Sequence, residues 1–132
     1  MSTTRDLINP SEIHPAPGFS HVTVAKTTHV AYVAGQVALA PDFSIIGPGD
    51  LAEQTRAAMR NVETALTSAG ASWQDVVRRT IYTLAPTEYE TITAAIEEIQ
   101  GSSDHPSQTI IGVTGLAIEG LLIEIEVTAH LP

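Results

Sequence analysis

The sequence predicts a single α+β domain: a mixed sheet in the order ββαβαββ, with two helices on one of its faces. Three observations carry this reading. Two segments repeat apolar residues at helical spacing, several short runs have the Val, Ile, Thr and Tyr density of strands, and short Gly and Pro clusters punctuate them as turns. The 132 residues, 43% of them hydrophobic and 16% charged, form one domain (1–132) with enough apolar surface to fold without disulfides or a metal.

Pro10, Pro15 and Pro17 make the segment before Phe19 an irregular arm that cannot be helical. Runs 21–26 and 29–37, separated by Thr27-Thr28, read as a hairpin, and the second has small or apolar residues on both alternating sets. A loop bracketed by Ala40-Pro41-Asp42 and Gly47-Pro48-Gly49 leads to Asp50 and Glu53, a capping-box pattern. The helix from Leu51 to Ala69 then buries Leu51, Thr55, Ala58, Met59, Val62, Ala65, Leu66 and Ala69, turns Glu53, Arg56, Arg60 and Glu63 outward, and stops at Gly70. Residues 72–75 read as a turn and Val76–Leu84 as a strand. Thr87 and Glu90 suggest a second capping box, for a helix with Tyr89, Ile92, Ile96 and Ile99 inside, Glu90, Glu97 and Glu98 outside, and Gly101 at its end. Runs 109–113 and 121–130 complete the sheet. Two helices cover one sheet face only, so apolar residues on the other face predict a homo-oligomer.

Fifteen acidic and six basic side chains give a formal charge of -9. That balance disfavours nucleic acid and anionic membranes, whose binding draws on clustered Lys and Arg. Arg78-Arg79 is the one basic pair, and it reads as a solvated strand end. Cysteine is absent, which removes thiol chemistry and thiolate metal sites. His14, His21, His29, His105 and His130 follow no metal-ligand spacing, and no nucleotide-binding glycine motif or nucleophile elbow occurs. No metal or cofactor is expected. Without an apolar leader or a membrane-length run, the chain is expected to be cytoplasmic.

In Leu121-Leu122-Ile123-Glu124-Ile125-Glu126-Val127, period-two alternation places Glu124 and Glu126 together on one sheet face. By itself this pattern fits a solvated strand face. Near an oligomer interface, one of these carboxylates could hold and activate water.

Asn9-Pro10, Pro17-Gly18-Phe19-Ser20-His21, Val33-Ala34-Gly35-Gln36-Val37, Gln54-Thr55-Arg56 with Asn61, Ala69-Gly70-Ala71, Asp75-Val76-Val77, His105-Pro106-Ser107-Gln108-Thr109 and Ile123-Glu124-Ile125-Glu126 resemble, in order, the signature segments of the RidA/YjgF family. The resemblance implies a chorismate-mutase-like fold and a homotrimer with a central barrel of sheets and small-molecule clefts between subunits. It also implies cofactor-free hydrolysis of enamines and imines to ketoacids and ammonia. In that pattern an arginine binds the substrate carboxylate, and a glutamate-held water attacks the imine carbon.

Carried across, the resemblance makes Glu124 the water-binding carboxylate and Gly35 the cleft glycine. Gln108 stands in place of the arginine, Ala34 in place of a serine and Phe19 in place of a tyrosine. Thr93 occupies a position where asparagine is common, and Thr109 follows Gln108 in the same segment. An amide in place of a guanidinium forfeits about 2 to 3 kcal/mol of carboxylate binding and suits a neutral carbonyl or amide ligand better. Three functions follow in order: hydrolysis of imine, related C=N or amide-like bonds; small-molecule binding without catalysis; and, least favoured by the charge, ribonuclease activity.

Overall fold

The computed structural model describes residues 5–131. Strands β1 (Arg5–Ile8), β2 (Val22–Ala25) and β3 (His29–Gln36) precede helix α1 (Leu51–Ser68). Then follow β4 (Val76–Thr83), α2 (Tyr89–Gln100), β5 (Ser107–Gly112) and β6 (Ile123–Leu131). The main sheet runs β3-β6-β4-β5. Its β4–β5 pair is parallel, and β6 is antiparallel to both its neighbours.

Burial follows the alternation of β6: Ile123, Ile125, Val127 and Ala129 face the helices while the residues between them do not. They meet Ala58, Met59, Val62 and Leu66 of α1 and Ile92 and Ile96 of α2 in one apolar core, closed by Val76 and Ile81 of β4. Asp50 caps α1 by accepting from the Glu53 N–H at 3.0 Å. Gln54, fully buried beside this cap, donates to the carbonyls of Gly47 (3.2 Å) and Gly120 (3.0 Å) and accepts from the Leu122 N–H (2.8 Å). One side chain thus joins the loop before α1 to the start of β6. No helix among the described residues is long and apolar enough to cross a membrane.

The α+β class and both helices stand as expected, and three local readings change. Run 21–26 does not form a hairpin with 29–37: β2 pairs with β1 in a separate two-stranded sheet, while β3 pairs with β6. The order is therefore βββαβαββ. The reason lies in β1, which is anchored by buried Arg5 donating to the carbonyls of Val76 and, at 3.0 Å, Asp104. Second, Thr87 does not cap α2. A turn closed by Glu88 N–H to the Ala85 carbonyl (3.1 Å) delays the start, and the cap position falls on Glu88 without a side-chain bond. Third, the buried stripes are shorter than their spacing implies, since Ala69 and Tyr89 are exposed. The turn read at 72–75 is present, as a single 3-10 turn in which Ser72 and Asp75 cap one another.

Gln54→Ala should leave the Leu122 N–H and two loop carbonyls without their partner and lower unfolding free energy by about 3 kcal/mol. Urea denaturation at fixed protein concentration measures it; a loss below about 0.5 kcal/mol would mean that water replaces those bonds.

Candidate functional site

A cleft of about 330 Å³ opens along β5, the edge strand, lined by Pro17, Phe19, Pro86, Tyr89, Thr93, Gln108, Thr109 and Ile110. Gly18 lets the 17–19 loop lie on α2: its φ is +77°, and a Cβ there would come within 2.7 Å of Thr93 Oγ1. Ser20 fixes the other end of this loop, its hydroxyl donating to the His105 carbonyl (2.7 Å) and its N–H to the Pro106 carbonyl (3.0 Å).

Behind the cleft lies a guanidinium. Arg79 sits directly beside Gln108 in the β4–β5 register and is only 2% exposed. Its Nε donates to Gln108 Oε1 (2.5 Å), Nη1 to Gln100 Oε1 (3.2 Å), and Nη2 to His105 Nδ1 (2.9 Å) and the Gly18 carbonyl (3.4 Å). Gln100 is turned the right way by its own donation to the Ser102 carbonyl (2.8 Å). Because His105 Nδ1 accepts from a guanidinium, its proton is on Nε2, which donates to Glu97 at 2.6 Å. Glu97, Arg79 and His105 thus balance charge along a chain of hydrogen bonds that runs from the buried Arg79 and His105 out to the part-exposed Glu97.

Burial, with the nearby Arg5 cation and against Glu97, pushes Arg79 down to about 9, which leaves it charged at neutral pH. Burial also lowers His105, a shift the Glu97 hydrogen bond opposes and the two arginines reinforce. The strand-end reading of the arginine pair therefore holds only for Arg78, which is exposed and donates to Thr109 Oγ1 (2.6 Å). Arg79 shares the parity of Ile81 and points at the helices; that parity was the signal in the sequence.

Glu124 lies elsewhere. On the sheet face away from the helices, Tyr82 of β4 pairs with Glu124 and donates its hydroxyl to Glu126 Oε1 (2.5 Å). That bond, foremost, and the adjoining carboxylates raise the Tyr82 pKa. Glu126 is thereby occupied, whereas Glu124 accepts no hydrogen bond from any described residue. β3 carries a bulge where Ala34 and Gly35 together oppose Glu126, between the pairs Val33–Val127 and Gln36–Ile125. The Glu124 carboxylate rests over Gly35: a Cβ there would lie 1.9 Å from Glu124 Oε2. Glycine at this position is a steric requirement for that placement.

The residues singled out in the sequence thus fall into two groups. Phe19, Thr93, Gln108 and Thr109 line the cleft; Ala34, Gly35 and Glu124 gather on the open sheet face. Gln108 shares the helix-facing parity of Ile110, so it and Glu124 occupy opposite faces, with β4 between their strands. Arg79, His105, Glu97, Tyr82 and Tyr89 are the members that sequence reasoning left out.

His105 gives this network a pH signature. Its proton affinity is lower folded than unfolded, so the unfolded chain binds the extra proton as pH falls below about 6.5. Stability is full above that value and is lost as pH falls through the window down to the lowered native pKa. Between about pH 7 and 5.5, His105→Gln should flatten the pH dependence of urea unfolding; an unchanged slope would place the acid-sensitive group elsewhere.

Residues 10–131 match the family model described as Endoribonuclease L-PSP. A Rid family protein of unknown function from Yersinia pestis, YyfB, has a similar crystal structure, with TM-score 0.90 and 36% identity over 97% of this chain and 99% of that one. A RutC family protein of Pyrococcus abyssi is 31% identical over 91% of this chain and 93% of its own length. The 3-aminoacrylate deaminase RutC of Acinetobacter baylyi is 29% identical over 88% and 90%. With its described fold and nearly its whole length in agreement, the chain belongs to the endoribonuclease L-PSP family, the RutC/YjgF group of Rid proteins.

Proposed function

We propose that this protein binds a small molecule in the Gln108 cleft and hydrolyses an imine, a related C=N bond or an amide-like bond, with Glu124 positioning the attacking water. The observation that carries this reading is the contrast between the two glutamates. Tyr82 occupies Glu126, while Glu124 is held over Gly35 with its oxygens unclaimed by any described residue. A carboxylate so placed can accept a proton from water as that water attacks an electrophilic carbon. The deaminase name of the Acinetobacter baylyi relative supports the same class of reaction.

Within one chain, Gln108 and Glu124 stand two strands apart and three residues apart along the register, roughly 14 Å by standard sheet spacings, on opposite faces. No small ligand touches both. A working site therefore takes Gln108 from one subunit and Glu124 from another, which supports a homotrimer with clefts between its subunits. The open face supports it too: Val30, Tyr32 and Ile111 are exposed there, and Val30 pairs with His130, whose shielded Nδ1 has no hydrogen-bond partner among the described residues.

Binding without catalysis is the second reading, favoured by the loss of polar groups at Phe19, Ala34 and Gln108. Ribonuclease activity is disfavoured. Of the six basic side chains, Arg5 and Arg79 are buried and Arg56 and Arg60 are paired with Glu53, so little cation remains to meet a phosphate backbone.

Imines generated in situ, by an amino-acid oxidase for 2-iminoacids and a flavin amine oxidase for neutral imines, can be trapped with semicarbazide. The protein should compete with the trap, and Glu124→Gln should reduce its rate by about 100-fold or more. No competition in either series would remove the hydrolase reading and leave the binding one. Light scattering should return three times the 14.0 kDa chain mass; a mass of one chain would sink the shared-site arrangement.

A further inference from the structure

We propose that Arg79 and Gln108 act as one device that makes the cleft specific for a neutral oxygen acceptor, with the buried arginine as the specificity-determining residue. The inference rests on the reading that this cleft is where the ligand binds. It differs from a simple loss of charge at position 108: the cation is present, but one strand further in.

Position 79 and position 108 are register partners on parallel strands with side chains on the same face, so a charge at either one lies beside the other. In this chain the inner position holds the guanidinium. Four of its five N–H donors are spent on Gln108, Gln100, His105 and Gly18, and at 2% exposure it cannot reach a ligand. What it does is fix the amide. Because Gln108 Oε1 accepts from Arg79 Nε, the carbonyl end of Gln108 is committed inward, and the end left for the cleft is the NH2, a pure donor. The adjacent cation withdraws charge through the amide and strengthens that donor.

The ligand's own charge is decided by the back of the network. Glu97 compensates Arg79 through His105, so the cleft carries no net cation toward a carboxylate. Its other lining residues are Tyr89 and Thr93, which carry hydroxyls, Thr109, whose hydroxyl accepts from Arg78 on the open face, and the apolar Pro17, Phe19, Pro86 and Ile110; none of them is ionised. A carboxylate entering there would shed its water for one neutral hydrogen bond. A ketone, ester or amide carbonyl loses far less and gains the same bond. The class of ligand is thus a molecule with an apolar or aromatic body and an uncharged carbonyl oxygen at the Gln108 end.

The two positions are also coupled. Gln108→Arg by itself would set a second guanidinium against a buried one and should lower thermal stability. Exchanging the pair, Arg79→Gln with Gln108→Arg, would relieve that repulsion and bring the fork out to the cleft.

The test titrates 15N-labelled protein with two probes of one shape, 4-phenyl-2-butanone and 3-phenylpropionate, at pH 7.5, following the amides of Phe19, Thr93 and Thr109 and the side-chain NH2 of Gln108. The natural chain should bind the ketone at least about tenfold more tightly than the carboxylate, and the exchanged pair should reverse that order. Gln108→Glu, which keeps a bond to Arg79 but presents an acceptor, should lose ketone binding by about tenfold or more, and it decides the matter if the exchanged pair does not fold. A preference for the carboxylate in the natural chain, an unchanged ratio after exchange, or undiminished ketone binding in Gln108→Glu would overturn the proposal while leaving the cleft as the ligand site. If neither probe shifts the cleft amides, the cleft reading fails and this proposal with it.

Discussion

The constraint on which much of this structure turns is the burial of the Arg79 guanidinium between β4, β5, α2 and the 17–20 loop. Removing such a group from water costs several kcal/mol even after relaxation, and only near-complete hydrogen bonding offsets it. The chain supplies four hydrogen bonds from four places: the edge strand, the end of α2, the turn before β5 and the Gly18 carbonyl. Each of these also forms a wall or support of the cleft. The cleft geometry is therefore a by-product of solvating one cation, and elements distant in sequence are held in mutual register because each carries one of its acceptors.

The period of the β-strand divides everything else. From Arg78 onward in β4 and throughout β6, residues of odd number enter the core or the Arg79 network, whereas Arg78, Thr80, Tyr82, Glu124 and Glu126 emerge on the open face. Two irregularities break this rule: one at Val77, which lets Val76 reach the core, and a one-residue bulge at Ala34 and Gly35 on β3, where Glu124 needs room. In a single layer of sheet the Gln108 cleft and Glu124 fall on opposite faces, and on the proposed reading symmetry between copies is the economical way to bring them together.

The α+β class, both helices and the alternation of β6 were legible because each rests on a repeat within a dozen residues: the α1 stripe through Met59 and Val62, or Ile123 to Val127. Strand partnership was not, since it depends on residues far away. Thr27-Thr28 looks like a hairpin turn locally, yet β2 follows β1, whose position is set by Arg5 reaching Val76 and Asp104, 71 and 99 residues away. The candidate residues were legible as two motifs; that they face opposite ways followed from a register that no local pattern encodes. Arg79 was the hardest to read, because an arginine in a short strand is ordinarily solvated. Only its parity with Ile81 hinted otherwise, and its acceptors Gly18, Gln100, His105 and Gln108 lie in three other stretches of sequence.

The departures at Phe19, Ala34 and Gln108 look independent in the sequence but have different physical standing in the fold. Phe19 and Ala34 change what a ligand meets without altering any bond that holds the chain together. Gln108 is different, because it is an acceptor that Arg79 requires. An arginine at 108 would remove that acceptor and add a like charge beside it, so the side chains at 79 and 108 have to be chosen together. The amide at the cleft and the cation behind it are thus one structural feature. On the proposed reading, a cation held one strand in from the cleft sets the cleft for an uncharged oxygen, while Glu124 over Gly35 is free to position water.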